Sequence, residues 1–143
     1  MVTLDALVHF YETLTPETVA DFDTFYAADA HFVDPFNDVR GVAAIQAIFR
    51  HMFSQLEAPR FAVTERFVRR TQVVLIWDLH CRLAGQPVTI TGASHLRLDA
   101  AGRVCMHRDF WDAASEVYEK LPLIGGLMRC ARRRLSAPQS TPE

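Results

Sequence analysis

Two aspartates and a histidine carry the chemistry open to this chain. Asp34 precedes a proline in Val33-Asp34-Pro35, and His107 and Asp109 stand two residues apart in His107-Arg108-Asp109. A carboxylate in an apolar cavity is desolvated, so its pKa rises toward neutrality and it can take and return a proton at working pH. Two such acids from different elements can divide the work, one charged and acting as base, the other protonated and donating. A histidine two positions away on the same strand face orients the acid or shuttles its proton. Each residue also has a plain structural use. Aspartate before proline initiates turns, Asp109 would pair with Arg97 or Arg108 if it faced the other way, and a histidine can simply fill a pocket wall. Two carboxylates and a histidine can bind a divalent ion, but no H-x-x-x-H or H-x-H spacing accompanies them, so neither a metal nor a cofactor is expected. The sequence has no P-loop, G-x-G-x-x-G or G-x-S-x-G, which leaves nucleotide binding and serine-hydrolase chemistry without support.

The elements that would position these residues divide into a helical first half and a stranded second half. Leu4, Leu7, Val8, Tyr11 and Leu14 recur at helical spacing. Thr15 caps a second helix with Pro16 at its first position, and Val19, Phe22, Phe25 and Tyr26 form its apolar stripe. His31 to Asp34 reads as a short extended piece, with Pro35 biasing Asp34 away from helix. After Gly41 a third helix carries Val42, Ile45, Ile48, Phe49, Met52, Phe53 and Leu56 on one side, and Pro59 ends it. Residues 60–69, 73–83, 87–98 and 103–111 read as strands. In the second of them Val73, Leu75, Trp77, Leu79, Cys81 and Leu83 face one way and Asp78, His80 and Arg82 the other. The next carries Ile90, Gly92, Ser94, Leu96 and Leu98 on one face. Gly85-Gln86 and Asp99 to Gly102 are the turns between strands. By the same parity His107, Asp109 and Trp111 share one face. Asp112 is an N-cap for a further helix that Pro122 interrupts, and a basic amphipathic piece runs from Leu123 to Leu135. Helices followed by a meander of strands is the α+β pattern.

Composition sets the bounds. The 143 residues are 50% hydrophobic and 22% charged, enough for one domain with a real core and too apolar for a disordered chain. No internal repeat or linker divides it, so residues 1–135 read as a single domain and 136–143 as a disordered tail. No run of eighteen apolar residues suits a membrane span, and the acidic N-terminus lacks the basic start of a secretory signal, which points to the cytoplasm. Residues 1–39 hold eight acids and no Lys or Arg, leaving fifteen bases against nine acids in the remainder. Arg129 and Arg132 to Arg134, beside Leu123, Ile124, Leu127 and Met128, would suit an anionic membrane surface, although capping the fold is the simpler use. One basic cluster on a chain of net charge -2 argues against nucleic acid. Cys81, Cys105 and Cys130 form no C-x-x-C and read as buried free thiols.

The order helix, helix, FYAADAHFVDPF, a GVAAIQAIF helix and strands ending GRVCMHRDFWD resembles the nuclear transport factor 2-like superfamily, which includes ketosteroid isomerases and SnoaL-like polyketide cyclases. The resemblance implies a curved antiparallel or mixed sheet wrapped over the N-terminal helices, a cone with an apolar pocket at its wide end. It also implies a homodimer through the sheet. Asp34 matches the general base of the isomerases. Their helix tyrosine falls on Phe10 by an ungapped count and on Tyr11 after a shift of one residue, and their strand aspartate is replaced by Ser94. The cyclases instead keep an acid-base aspartate in an H-x-D context on the last long strand, which His107 and Asp109 match. The resemblance therefore implies Asp34, Asp109 and His107 as catalytic residues, with Phe10, Tyr11, Trp77, Leu79, Ser94 and Trp111 around a small apolar ligand. The expected function is acid-base chemistry on an apolar carbonyl or epoxide compound, by isomerisation, cyclisation or hydrolysis. The alternative is a non-catalytic binding or interaction module on the same fold.

Overall fold

The computed structural model describes residues 1–113 and residue 134. Met1–Trp111 forms one compact unit, and the chain from Asp112 on falls to a second. The helix expected after Ala113, the basic piece at Leu123–Leu135, the tail and Cys130 lie outside the described residues.

Helix α1 (Leu4–Glu12) starts where the Thr3 hydroxyl accepts the Ala6 N–H at 3.2 Å and buries Leu7, Val8, Phe10 and Tyr11. A 3-10 turn (Thr18–Asp21) and a one-turn helix α2 (Phe22–Phe25) follow, then strand β1 (Tyr26–Val33) and the short strand β2 (Asp38–Arg40). Helix α3 (Val42–Gln55) precedes four long strands: β3 (Glu57–Arg69), β4 (Gln72–Leu83), β5 (Gln86–Leu98) and β6 (Val104–Trp111). The strands form one mixed sheet in the order β2-β1-β6-β5-β4-β3, with β1 and β6 parallel and the other pairs antiparallel. The fold is α+β, as the sequence predicts.

One sheet face meets the helices. Val73, Leu75, Trp77, Leu79 and Cys81 of β4 are buried on it, as the alternation predicts, together with Ile90, Ser94 and Leu96 of β5. Leu7 of α1, Phe22 of α2, Tyr26 and Phe32 of β1 and Ile45 of α3 complete a core in which each is under 2% exposed. Each such apolar side chain contributes roughly 1.5–3 kcal/mol by leaving water, so this core outweighs any surface pairing. The Cys81 side chain is buried. Cys105 is only half-buried, and its Sγ donates to the Arg97 carbonyl at 3.3 Å.

Three local expectations change. The second helix is shorter than its stripe suggests: Thr15 and Thr18 do exchange hydrogen bonds at its entry (2.8 and 3.2 Å), but Tyr26 starts a strand rather than closing a helix face. Burial of Tyr26, Ala30 and Phe32 and the pairing with β6 override the helical leaning of the alanine-rich run. Pro59 does not end α3. The helix stops at Gln55, Leu56 is extended, and Pro59 lies inside β3, where an edge strand and a break in register between Glu57 and Arg60 tolerate a residue without an N–H. The β4–β5 turn is Ala84-Gly85 rather than Gly85-Gln86, because a two-residue hairpin of this hand needs positive φ at both positions, and these stand at 51° and 78°.

The β5–β6 turn anchors the start of the chain. The Asp99 carboxylate accepts the N–H groups of Arg103 and Ala101, and these bonds hold its pKa below the ordinary value. Val2 N–H donates to the Ala101 carbonyl at 2.9 Å, and Gly102 sits at φ 79° with the Val2 carbonyl oxygen only 2.1 Å from where a Cβ would lie. Gly102→Ala is therefore expected to lower stability by about 1–3 kcal/mol, from the strained φ and the displaced N-terminal segment, as read by denaturant unfolding.

Candidate active site

The helix-facing side of the sheet carries a small pocket, about 370 Å³ of empty space when its open mouth is included. Phe61 and Val63 of β3, Leu75 and Trp77 of β4, Ser94 of β5 and His107 and Asp109 of β6 line it from the sheet, with Tyr11 of α1 and Phe49 of α3 above them. Most of the lining is apolar. The polar groups among them do not stand alone.

A chain of hydrogen bonds joins them. Trp77 Nε1–H donates to Ser94 Oγ at 2.9 Å, and the Ser94 hydroxyl donates to Asp109 Oδ1 at 2.5 Å. His107 Nε2 lies 2.6 Å from the same oxygen. On the other side of the ring, His107 Nδ1 is 2.6 Å from the Tyr26 hydroxyl, which is 2.6 Å from the Tyr11 hydroxyl. Strand parity produces this directly: β5 pairs Ser94 with Asp109, and β1 brings Phe32 beside His107. His107 is 4% exposed at its side chain and Asp109 15%, so the ring is enclosed while the carboxylate reaches the pocket. Burial drives the Tyr11 phenol far above its ordinary pKa, and the Asp109 charge adds to the rise; Tyr26 is raised by burial and then by Tyr11. Both therefore stay neutral hydroxyls. Among the described residues no buried side-chain nitrogen or oxygen lacks a partner.

Of the residues singled out from sequence, the pocket gathers Tyr11, Trp77, Ser94, His107 and Asp109. Asp109 bonds to Ser94 and His107, the parity reading, and not to Arg97 or Arg108. Asp34 is not among the lining residues. It sits in the β1–β2 turn, where Oδ1 accepts the N–H groups of Phe36 and Asn37 at 2.8 and 2.7 Å and the Asn37 amide, the turn-forming use of an aspartate before proline. Phe10 lies in the core, stacked on Phe25 at 4.4 Å and edge-on to Phe22, so it is Tyr11 that faces the cavity. Leu79 is buried further along β4, and Trp111 packs edge-on against Phe36 at 5.5 Å; neither lines the pocket. Nothing in the sequence marks Tyr26 for the site, because its spacing continues the helical stripe of Val19 and Phe22. Phe49, Phe61, Val63 and Leu75 are pocket walls whose apolar type is indistinguishable from core in sequence. Among the described residues no group of three His, Cys, Asp or Glu side chains is placed to hold a metal ion, and no helix is long and apolar enough to cross a membrane.

Comparison with known proteins agrees with this architecture. The family model for the SnoaL-like domain matches residues 7–107. No curated protein matches the chain in sequence. Among solved structures, a putative SnoaL-like polyketide cyclase from Jannaschia sp. CCS1 superposes with a TM-score of 0.69 at 15% identity, over 78% of this chain and 86% of that one. A hypothetical protein with a ketosteroid isomerase-like fold from Catenulispora acidiphila DSM 44928, in complex with trimethylamine, gives 0.68 at 18% identity, over 80% and 88%. An LEH-like epoxide hydrolase from M. tuberculosis gives 0.66 at 17% identity, over 91% and 95%. At these identities the likeness is one of fold.

Gly92 controls the floor of the pocket. A Cβ there would lie 2.5 Å from the Trp77 ring and 3.0 Å from the Phe110 carbonyl oxygen. Gly92→Ala is expected to push the indole out of place and stretch its bond to Ser94, at a cost of about 1–3 kcal/mol for overpacking. In a Trp111→Phe background, a red shift of the remaining tryptophan emission checks the displacement, and an unchanged spectrum contradicts it.

Proposed function

The chain belongs to the SnoaL-like domain family, and from that premise we propose that it is an acid-base enzyme acting on a small, largely apolar carbonyl compound. The observation that carries this reading is Asp109: a carboxylate at the wall of an apolar pocket, with Oδ1 held by Ser94 and His107. Those two donors orient the group and direct Oδ2 to the ligand. Such a base removes a proton from carbon next to a carbonyl and returns it elsewhere, which is the elementary step of isomerisation and of cyclisation. Tyr11 brings a second polar group to the wall, a hydroxyl beside the space a ligand would fill. Trp77, Leu75, Phe49 and Phe61 exclude water around the reacting carbon. Epoxide hydrolysis, the activity in the description of one fold neighbour, would use the same carboxylate to activate water. Simple ligand binding on this fold is the competing reading, favoured by the absence from the pocket of a second carboxylate among its lining residues.

Deuterium exchange at the α-carbon of small apolar enones and diketones in D₂O, followed by NMR, separates these readings. The protein is expected to accelerate exchange, and Asp109→Asn to reduce it by about 10²–10⁴-fold, the usual worth of a positioned acid-base group. Asp34→Asn is expected to retain it, since that side chain serves the β1–β2 turn. Ligand-dependent thermal stabilisation with no exchange and no epoxide opening would favour the binding module.

A further inference from the structure

The bond directions in the polar chain are not independent. Trp77 Nε1–H occupies Ser94 Oγ as a donor, so the Ser94 hydrogen points to Asp109 Oδ1. A charged carboxylate there only accepts, so His107 carries its hydrogen on Nε2. A neutral ring then has a bare Nδ1, to which Tyr26 donates, and the Tyr26 oxygen in turn accepts from Tyr11. In this order Tyr11 turns a lone pair toward the pocket. Placing a hydrogen on Nδ1 reverses both outer bonds: the ring donates to Tyr26, Tyr26 donates to Tyr11, and the Tyr11 hydrogen is released into the pocket.

We propose that Tyr26 and His107 are positioning residues of one proton-ordered chain, in which the hydrogen on His107 Nδ1 decides whether Tyr11 offers the pocket a lone pair or a hydrogen. The proposal rests on the reading of Asp109 as the acid-base group. It also names the substrate class: a compound that presents an ionisable hydroxyl, an enol or a phenol, to Tyr11. When the ligand hydroxyl gives its proton to the Tyr11 oxygen, the hydrogen already on Tyr11 passes to Tyr26, that of Tyr26 to Nδ1, and that of Nε2 to Asp109. Tyr11, Tyr26 and the His107 ring each lose one hydrogen and gain one, and Asp109 takes up the equivalent of the proton that the ligand gave. The ligand oxygen is left anionic opposite the new Tyr11 hydrogen, and Asp109 becomes a neutral carboxylic acid whose new hydrogen lies on Oδ1, shared with Nε2. Tyr26 is 1% exposed and is not among the pocket-lining residues, so its part is played through its neighbours.

The groups around the ring make this readable. Tyr11 from α1, Tyr26 from β1 and Asp109 from β6 are its titratable neighbours in the chain, Ser94 from β5 reaches it through Asp109, and Phe32 from β1 packs on it at 4.7 Å. Nitrogen NMR of the full chain with ¹⁵N-labelled histidine, needing no substrate, reads the two ring nitrogens separately; His107→Gln assigns the signals. The expected state at neutral pH is a hydrogen on Nε2 and a bare Nδ1, with Nδ1 gaining its hydrogen as the pH falls. Tyr11→Phe removes the last acceptor, so that gain is expected about one pH unit lower, a tenfold change in equilibrium, although Tyr11 makes no hydrogen bond to the ring. Tyr26→Phe is expected to lower it as well, and the double variant no further than Tyr26→Phe alone. A hydrogen on Nδ1 at neutral pH, no effect of Tyr11→Phe, or effects of the two that add would each overturn the chain. If Tyr26→Phe does not fold, Tyr11→Phe decides alone. Because the measurement uses the free protein, loss of the chain would leave the exchange assay on Asp109 standing, and a failed exchange assay would leave the ring titration standing.

Discussion

His107 is a polar ring 3% exposed in the middle of an apolar core, and its two nitrogens link side chains from different elements of the fold. Nε2 holds Asp109 on its own strand, and Nδ1 holds Tyr26 at the start of β1, which holds Tyr11 on α1. An unpartnered donor or acceptor at this depth would cost about 1–3 kcal/mol, so each link constrains the next. The helix must present Tyr11, and β1 must begin where it does. Asp109 must share the ring's face. A partly satisfied network here would be worse than an apolar one, which makes the alternation of β6 and the entry of β1 matters of energy as well as geometry.

By comparison the surface ion pairs are minor. Arg66 meets Asp5 at 2.6 Å, but the two side chains are 43% and 90% exposed, so the pair links α1 to β3 at a net gain of about 0–1 kcal/mol. His31 and Asp38 pair across the β1–β2 hairpin, with the carboxylate side mostly in water. The apolar core sets the stability of the unit, and the buried polar chain sets which arrangement of that core is allowed.

The parts of the fold legible in sequence were those with a short period and a local cause. The alternation of β4 was plain because one face is apolar from Val73 to Leu83, and the parity of His107 and Asp109 followed from the same rule. The start of β1 was not legible, because Tyr26 continues a helix-like spacing from Val19 and Phe22. What makes it a strand is a partner eighty residues away. Asp34 fits a catalytic pattern and a turn pattern equally in sequence, and only its bonds to Phe36 and Asn37 separate them. Pro59 is ambiguous for a related reason: its meaning depends on whether the strand is at an edge, which is a property of the sheet and not of the segment.

The parallel pairing of β1 with β6 has a consequence for how the protein comes into being. Tyr26 and His107 are 81 residues apart, and the strands that carry them are neighbours in the sheet although four others lie between them in the chain. Contacts of such long range close late in folding, because the loop between them must first be ordered. During synthesis β1 therefore keeps one edge unpaired until β6 arrives. The polar chain of the pocket cannot be complete until His107 and Asp109 arrive with β6, so its assembly waits for that strand.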